Sequence, residues 1–328
     1  MKKFFIATFA CAALASCYNN DTTIATNNEP IYFGNNFVEN SVRAVEADDP
    51  SYGTENPLTS IIVYGAVEGV NIFPGVTVTG TPGGGEWAQE QGSTVQYWIA
   101  GADYIFDAVA GVEKSAVTTD TASGTGLPTS IHYKVANQTD MLHKRVTTNG
   151  KPTTNNGLVA FTFTHLLSKV KLTVENTTAV AATGYRYTIS DIQLTNVYTE
   201  GNYAVPAGTW SGQKTGTYNS IENITVASGA TEECATEVLL IPGANIGISF
   251  KVNTQMKKGE EWVTITTSDL NVYEEVKVLE ANKAYNFKVS LGLDDQIKFT
   301  VTENPTWANG NTHDSNDDDT VNDYIPLS

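Results

Sequence analysis

The chain has 328 residues, with 36 acidic side chains against 19 basic ones and a formal net charge of −17. An acidic surface repels nucleic acid and phosphate-rich headgroups, and no basic stripe offsets it, so nucleic-acid binding is excluded. Thr, Val, Asn and Gly abound while period-3.6 patterning is scarce, which points to strands and turns.

Residues 1–16 read as a lipoprotein signal peptide. Met1-Lys2-Lys3 is a short basic start, and Phe4 to Leu14 is an apolar run too short to span a bilayer as a helix. It ends in Leu14-Ala15-Ser16-Cys17, small residues running directly into a cysteine. An ordinary export signal has no need of that cysteine, whereas lipidation does, because the thiol takes the acyl chains and becomes the new N-terminus. Acylation (palmitate among the chains) at Cys17 anchors the mature chain, each buried CH2 contributing about 0.8 kcal/mol. The plainer alternative is an export signal beside an incidental cysteine. Loss of Lys2 and Lys3 with the signal moves the net charge from −17 to −19. Cys11 leaves with the signal, so Cys234 is the single unmodified thiol and no internal disulfide can form. Its acidic surroundings, Glu232 and Glu233, point to a structural thiol with a raised pKa.

Residues 17–50 form a tether and a first strand, Ile31-Tyr32-Phe33, closed by Asp48-Asp49-Pro50. Residues 51–155 are expected to form an N-terminal β-sandwich, with strands at Leu58–Ala66, Val70–Phe73, Val95–Ile99, Tyr104–Val109 and Ser130–Val135. Thr81–Gly85 and Gly124–Pro128 are turns; the glycine loop lacks the Lys-Ser/Thr that phosphate cradling requires. Lys151–Gly157 reads as a linker. Residues 156–310 then form a C-terminal β-sandwich, from Leu158–Phe163 and Leu166–Val174 onward. Val170, Leu172 and Val174 alternate with polar neighbours, as in a half-buried strand. Tyr185–Asn196 repeats the alternation through Ile189, Ile192 and Leu194, with a slip that predicts a bulge. Glu237–Pro242 and Ile246–Val252 are expected to pair, followed by strands at Trp262–Thr267, Tyr285–Leu291 and Ile297–Val301. Residues 311–328 are an acidic tail with an apolar end. The fold class is all-β, a pair of tandem sandwiches.

No catalytic set is visible, so the chain reads as a non-enzyme without a cofactor. His132, His143, His165 and His313 lie in no zinc spacing, and His165 reads as a packed, hydrogen-bonded histidine at a strand bend. The pairs Glu260-Glu261 and Glu274-Glu275 point to opposite faces of a strand. The Asp314–Asp319 run lacks the glycine and glutamate of a calcium loop, so no metal site is assigned. Trp87, Trp98, Trp210, Trp262 and Trp307 are spread over both sandwiches and read mainly as core, with glycan binding the lesser reading.

Several separated segments resemble one family, the fimbrillins (type V pilins) and fimbrillin-like lipoproteins of Bacteroidota. Tyr97-Trp98-Ile99 through Tyr104-Ile105-Phe106-Asp107-Ala108 is similar to the family's YWP…Y.F.A pattern, with Ile99 where proline is usual. Leu58–Val67 resembles its early strand, and Thr139–Leu142 resembles the DLM element. Phe163–Val170 resembles F.H.LSKV, Leu239–Pro242 resembles LIP, and Tyr285–Leu291 with Trp307 resembles the family's ending.

The resemblance implies two transthyretin-like sandwiches in a fimbrial subunit delivered to the outer membrane as a lipoprotein. It implies maturation by an Arg-specific protease that removes the lipid and first strand, after which another subunit's C-terminal segment fills the vacated groove by β-augmentation. Among three arginines, Arg43 alone stands between a strand-like N-terminal segment and the body of the chain, placing the cut between Arg43 and Ala44. Val321, Tyr324, Ile325 and Leu327 are the candidate donor residues, although Pro326 interrupts ladder bonding. Expected partners are other pilin subunits, in a homopolymer or a mixed pilus, and the outer membrane through Cys17 before processing. Two readings stay open: a polymerising subunit that supports adhesion, and a non-polymerising surface lipoprotein acting as anchor, tip or adhesin.

Overall fold

The computed structural model describes residues 29–34, 36–38, 58–81, 84–178, 184–292, 296–304 and 323–326. The first ten strands are β1 (Phe33–Gly34), β2 (Phe37–Val38), β3 (Ser60–Val67), β4 (Val70–Thr79), β5 (Glu86–Gln89), β6 (Asp103–Ala110), β7 (Val117–Thr119), β8 (Pro128–Lys134), β9 (Leu142–Asn149) and β10 (Thr162–His165). Glu68 and Gly69 join β3 to β4 with φ of +46° and +78°. Two consecutive positive φ angles give the twist that a tight hairpin needs, and the glycine bears it without strain.

Eight of these strands form one sheet in the order β1-β5-β4-β3-β6-β9-β10-β2. Since β1 and β2 belong to a single short segment at opposite ends of that order, the sheet closes on itself. Its interior is aromatic: Phe33, Phe73, Phe106, Phe161, Phe163, Trp87, Trp98 and Tyr104 are all buried. Phe33 meets Phe73 edge-on at 5.2 Å and Phe106 at 5.7 Å between ring centroids, a geometry the ring quadrupoles favour.

The remaining strands are β11 (Ser168–Asn176), β12 (Tyr185–Ala204), β13 (Thr209–Tyr218), β14 (Ile224–Ala227), β15 (Thr231–Glu233), β16 (Val238–Leu240), β17 (Asn245–Lys258), β18 (Glu261–Val278), β19 (Ala284–Leu291), β20 (Gln296–Asn304) and β21 (Asp323–Pro326). One sheet runs β15-β11-β19-β20-β21, with β16 also on β11; the other runs β18-β17-β12-β8-β7, with β13 and β14 also on β12. A second core takes Val170, Leu172, Val174, Tyr285, Phe287 and Val289 from the first of these sheets. It takes Ile189, Ile192, Leu194, Ile248 and Phe250 from the second. The architecture is therefore all-β, and its two cores in chain order accord with a pair of sandwiches.

The bulge expected in β12 is present. Its register to β17 slips between Ser190 and Gln193, and Asp191 takes φ +50°. The extra residue re-phases the strand so that Ile189, Ile192 and Leu194 all reach the core, each no more than 1% exposed.

Three strand expectations are corrected. Val95–Ile99 is not a ladder strand; it is an extended stretch tied to the N-terminal segment by a bridge between Pro30 and Tyr97. Glu237–Pro242 and Ile246–Val252 do not pair with each other. The former supplies β16, on β11, and the latter lies within β17 between β12 and β18. Strands β12 and β18 run well beyond their expected ends, because residues 197–204 and 268–278 do not alternate cleanly, Gly201 and the adjacent acids Glu274-Glu275 breaking the rhythm.

Main-chain pairing also interleaves the two halves. The β7–β8 hairpin, within residues 51–155, pairs with β12, while β10, within residues 156–310, pairs with β9. Lys151–Gly157 thus joins two strands of one sheet.

Candidate assembly site

The segment from Glu29 to Val38 is held on both sides by main-chain hydrogen bonds. On one side the Ile31 N–H donates to the Gln96 carbonyl (2.8 Å), the Trp98 N–H donates to the Glu29 carbonyl (3.0 Å), and Phe33 pairs with Trp87. On the other, the Val159 N–H donates to the Tyr32 carbonyl (2.9 Å) and the Gly34 N–H to the Val159 carbonyl (3.1 Å). β2 then runs parallel to β10, Phe37 opposite Thr162. At the step between these pairings the Phe161 N–H donates to the side-chain carbonyl of buried Asn36 (2.9 Å).

Side chains on the segment follow strand alternation. Ile31 and Phe33 face inward and are completely buried, while Tyr32 between them is 38% exposed. With Val38, three apolar side chains are sealed into the core, about 1.5–3 kcal/mol each before ordering costs. Gly34 is required by close approach: a Cβ there would stand 2.1 Å from the Gly85 carbonyl oxygen. At the segment's start Glu29 forms an ion pair with Lys151.

The C-terminal strand β21 pairs antiparallel with β20, Ile325 opposite Ile297 and Tyr324 opposite Lys298. It is the outermost strand of its sheet. Of the expected site residues, Tyr324 and Ile325 thus lie on β21. Cys17, Arg43, Ala44, Val321 and Leu327 lie outside the described residues. The other two arginines are held in strands. Arg145 on β9 is bonded to Asp107, and Arg186 on β12 is flanked by Gln255 and Ala227 and lies 4.4 Å from the centre of the Trp262 ring.

Residues 51–305 match the model of the fimbrillin-like family. The chain belongs to the fimbrillin-like family. No curated protein sequence matches it. Its fold is similar to that of a fimbrial protein from Bacteroides vulgatus, with TM-score 0.55 and 14% identity over 77% of this chain and 94% of that one. It is also similar to a candidate cell adhesion protein from Bacteroides uniformis, with TM-score 0.50 and 16% identity over 87% and 99% of the two chains.

The rest of this fimbrillin-like chain carries polar clusters that brace strands. His165 is buried on β10, its Nδ1 2.6 Å from the Asp140 carboxylate, as expected of a packed histidine. His132 reaches Asn202 across the β8–β12 ladder at 3.1 Å. The Trp expectation holds for Trp87 and Trp98, both buried in the first core. Among the described residues no three His, Cys, Asp or Glu side chains come together as a metal site. Sequence reasoning missed Asp107, a fully buried carboxylate on β6 that accepts hydrogen bonds from Arg145 and lies 2.9 Å from His143 Nε2. The signal was a lone acid within the apolar run Tyr104-Ile105-Phe106-Asp107-Ala108-Val109.

Cys234 is buried, and burial is the main force raising its thiol pKa, with the nearby Glu222 carboxylate adding to it. The facing acid is Glu222, 3.7 Å from the sulfur, rather than the sequence neighbours Glu232 and Glu233. Since the thiolate is the reactive form, Cys234 should resist iodoacetamide in the folded protein at neutral pH and react fully in urea. Intact-mass measurement reads both states, and rapid labelling of the folded chain would contradict this placement.

Proposed function

We propose that this chain is a structural subunit of a cell-surface fimbria that supports adhesion. It is delivered to the outer membrane on lipid attached to Cys17. A cut between Arg43 and Ala44 then primes it to take another subunit's C-terminal segment in place of its own first strand. The proposed units are 51–155 and 156–310, with the β7–β8 hairpin and β10 shared between them.

One observation carries this reading: a segment N-terminal to Arg43 closes the first sheet and fills its core. While the chain is whole, that strand is covalently part of the subunit. After a cut at Arg43 it is a bound peptide that a better-supplied strand can replace. β21 suits the role of replacement, since it pairs with β20 at a sheet edge and would pair on both sides within the groove. Proteases act on exposed, loosely held backbone, and Arg145 and Arg186 lie within the ladders of β9 and β12, which makes them poor targets.

The pairing of β21 with its own β20 also favours a second reading, in which the C-terminal strand stays at home. The protein would then be a non-polymerising anchor, tip or adhesin that keeps its lipid.

Treating the chain from residue 18 onward with an Arg-specific protease separates the two readings. The fimbrial subunit is expected to be cut after Arg43 by mass spectrometry and to form filaments by electron microscopy. A chain left whole there, or cut yet still monomeric, sinks that reading. Removing residues 320–328 should abolish filaments without unfolding the protein. An unchanged filament yield would place the donor elsewhere, as at Ile297–Val301.

A further inference from the structure

We infer that the occupant of the groove is Asp323–Leu327 of a second copy of this chain, seated residue for residue on the track of Glu29–Phe33. This rests on the strand-exchange reading above and adds to it a partner and a register. The two stretches carry one pattern, Glu29-Pro30-Ile31-Tyr32-Phe33-Gly34 against Asp323-Tyr324-Ile325-Pro326-Leu327-Ser328. An acid leads, isoleucine stands third and a large apolar residue fifth. A proline and a tyrosine occupy the second and fourth places in opposite order, and a small residue closes each stretch.

Each matched position does a definable job in the groove. Ile31 and Phe33 are the two fully buried residues of the track, so Ile325 and Leu327 would fill their places. The acid lies beside Lys151, which would pair with Asp323 as it now pairs with Glu29. Tyr32 points out to solvent, so its replacement by Pro326 empties nothing in the core.

Proline and burial together set the register. A strand proline is tolerated only where its missing N–H is not needed. Along the track the Ile31 and Gly34 amides donate to Gln96 and Val159, and Phe33 is in the ladder with Trp87. Among the described residues the Tyr32 amide finds no acceptor, and that residue contributes only its carbonyl. With Ile325 on Ile31, Pro326 falls on the Tyr32 position, where no donor is needed. Moving the strand two residues onward lays Pro326 on Gly34 and loses the bond to Val159. Moving it two residues back sets Ile325 on the exposed position of Glu29. A slip of one residue turns both apolar side chains out of the core. The pairing ends at Leu327, because any Cβ at the Gly34 position meets the Gly85 carbonyl.

The register specifies a cross-link. Pro30 faces Tyr97 as an antiparallel pair flanked, not joined, by hydrogen bonds (Ile31 to Gln96, Trp98 to Glu29). Such pairs bring Cα atoms to about 4.5 Å, within disulfide range. Tyr324 takes Pro30's place, and Tyr97 is 52% exposed and replaceable. The chain from residue 18 carrying Tyr97→Cys and Tyr324→Cys, cut with the Arg-specific protease and oxidised, should give a ladder of disulfide-linked multimers on a non-reducing denaturing gel. The uncut chain should give none, since its own Glu29–Phe33 fills the track. Val95 lies two residues along the same stretch, so Val95→Cys with Tyr324→Cys should stay monomeric on the same gel. Filaments that cross-link through Val95 and not Tyr97, or through neither, overturn the register while leaving strand exchange standing. Failure of the unsubstituted cut chain to form filaments overturns strand exchange, and this register with it.

Discussion

Replacing Phe33 by alanine should lower the stability of the uncut chain by about 3–5 kcal/mol, the usual cost of emptying a fully enclosed phenylalanine site. The ring has no exposed surface and touches three others: Phe73 at 5.2 Å, Phe106 at 5.7 Å and Phe161 at 6.1 Å between centroids. Phe73 and Phe106 sit on β4 and β6 with their backbones fixed by ladder bonds, and the Phe161 N–H is held by the Asn36 side chain, so the cavity has little room to collapse. Tyr32→Ala, one residue earlier and facing solvent, should cost no more than about 0.5 kcal/mol. Urea denaturation followed by circular dichroism compares the two. Equal losses would show that the segment is not part of the first core. The same substitution bears on assembly. In the cut chain the segment is held only by non-covalent contacts, and each 1.4 kcal/mol is tenfold in an equilibrium constant. Phe33→Ala should therefore weaken its retention by at least about a hundredfold, visible as early loss of the 18–43 peptide on gel filtration after cutting.

Much of this fold is legible in the residues because the strands facing one core alternate cleanly. β19 reads Ala284-Tyr285-Asn286-Phe287-Lys288-Val289-Ser290-Leu291, and every second residue is buried. The bulge in β12 was visible for the same reason: a three-residue step from Ile189 to Ile192 breaks a two-residue rhythm. Where alternation fails, the pattern is silent. β9 (Leu142–Asn149) and β13 (Thr209–Tyr218) are largely half-exposed and threonine-rich or glycine-bearing, and neither stands out from a loop. Pairing is less legible still. Nothing local says that β11 runs parallel to β19, more than a hundred residues on, or that the β7–β8 hairpin belongs with β12.

The assembly site divides along similar lines. Ile31-Tyr32-Phe33 reads as a strand from composition, and the apolar end of the chain is conspicuous after an acidic run. What the residues alone do not convey is that residues 29–38 touch both ends of one sheet. That is a property of closure, which depends on eight strands adopting a common order. Pro326 illustrates the gap. In sequence it counts against a paired strand, yet it stands opposite Gln296 in the ladder with β20, and in the proposed register it would fall where the backbone asks for no donor.

Replacing Asp107 by alanine should cost about 2–3 kcal/mol, below the full cost of breaking a buried pair, because it strands a nearly buried imidazole and a guanidinium that still reaches water in part. Asp107 has no exposed surface, and its oxygens meet Arg145 Nε at 2.9 Å, Arg145 Nη2 at 2.6 Å and His143 Nε2 at 2.9 Å. Burial alone would raise its pKa, but the hydrogen bonds and charges of His143 and Arg145 outweigh burial and hold it below the ordinary carboxylate value. The sign of the pH dependence follows. A carboxyl whose folded pKa is depressed adds stability that is complete above its unfolded value, about 3.9, and is lost as pH falls through the lower folded value. The part of the stability difference between the parent chain and Asp107→Asn that comes from the depressed carboxyl should thus shrink as pH falls below about 4. The cluster's position gives this local effect a wider reach. Asp107 pairs with Tyr64, whose side chain lies in the second core, while its neighbours Phe106 and Ala108 face the first. The His143 ring lies 6.3 Å from that of Tyr203 on β12. The cluster therefore stands where the closed sheet meets the strands behind it. Asp107→Ala combined with Arg145→Met should recover part of the loss, since it removes the stranded charge together with its partner. A cost below about 1 kcal/mol for Asp107→Ala would mean that water reaches Arg145 and His143 once the carboxylate is gone. A gap to Asp107→Asn that stays constant down to pH 2 would mean that Asp107 is not ionised in the folded protein.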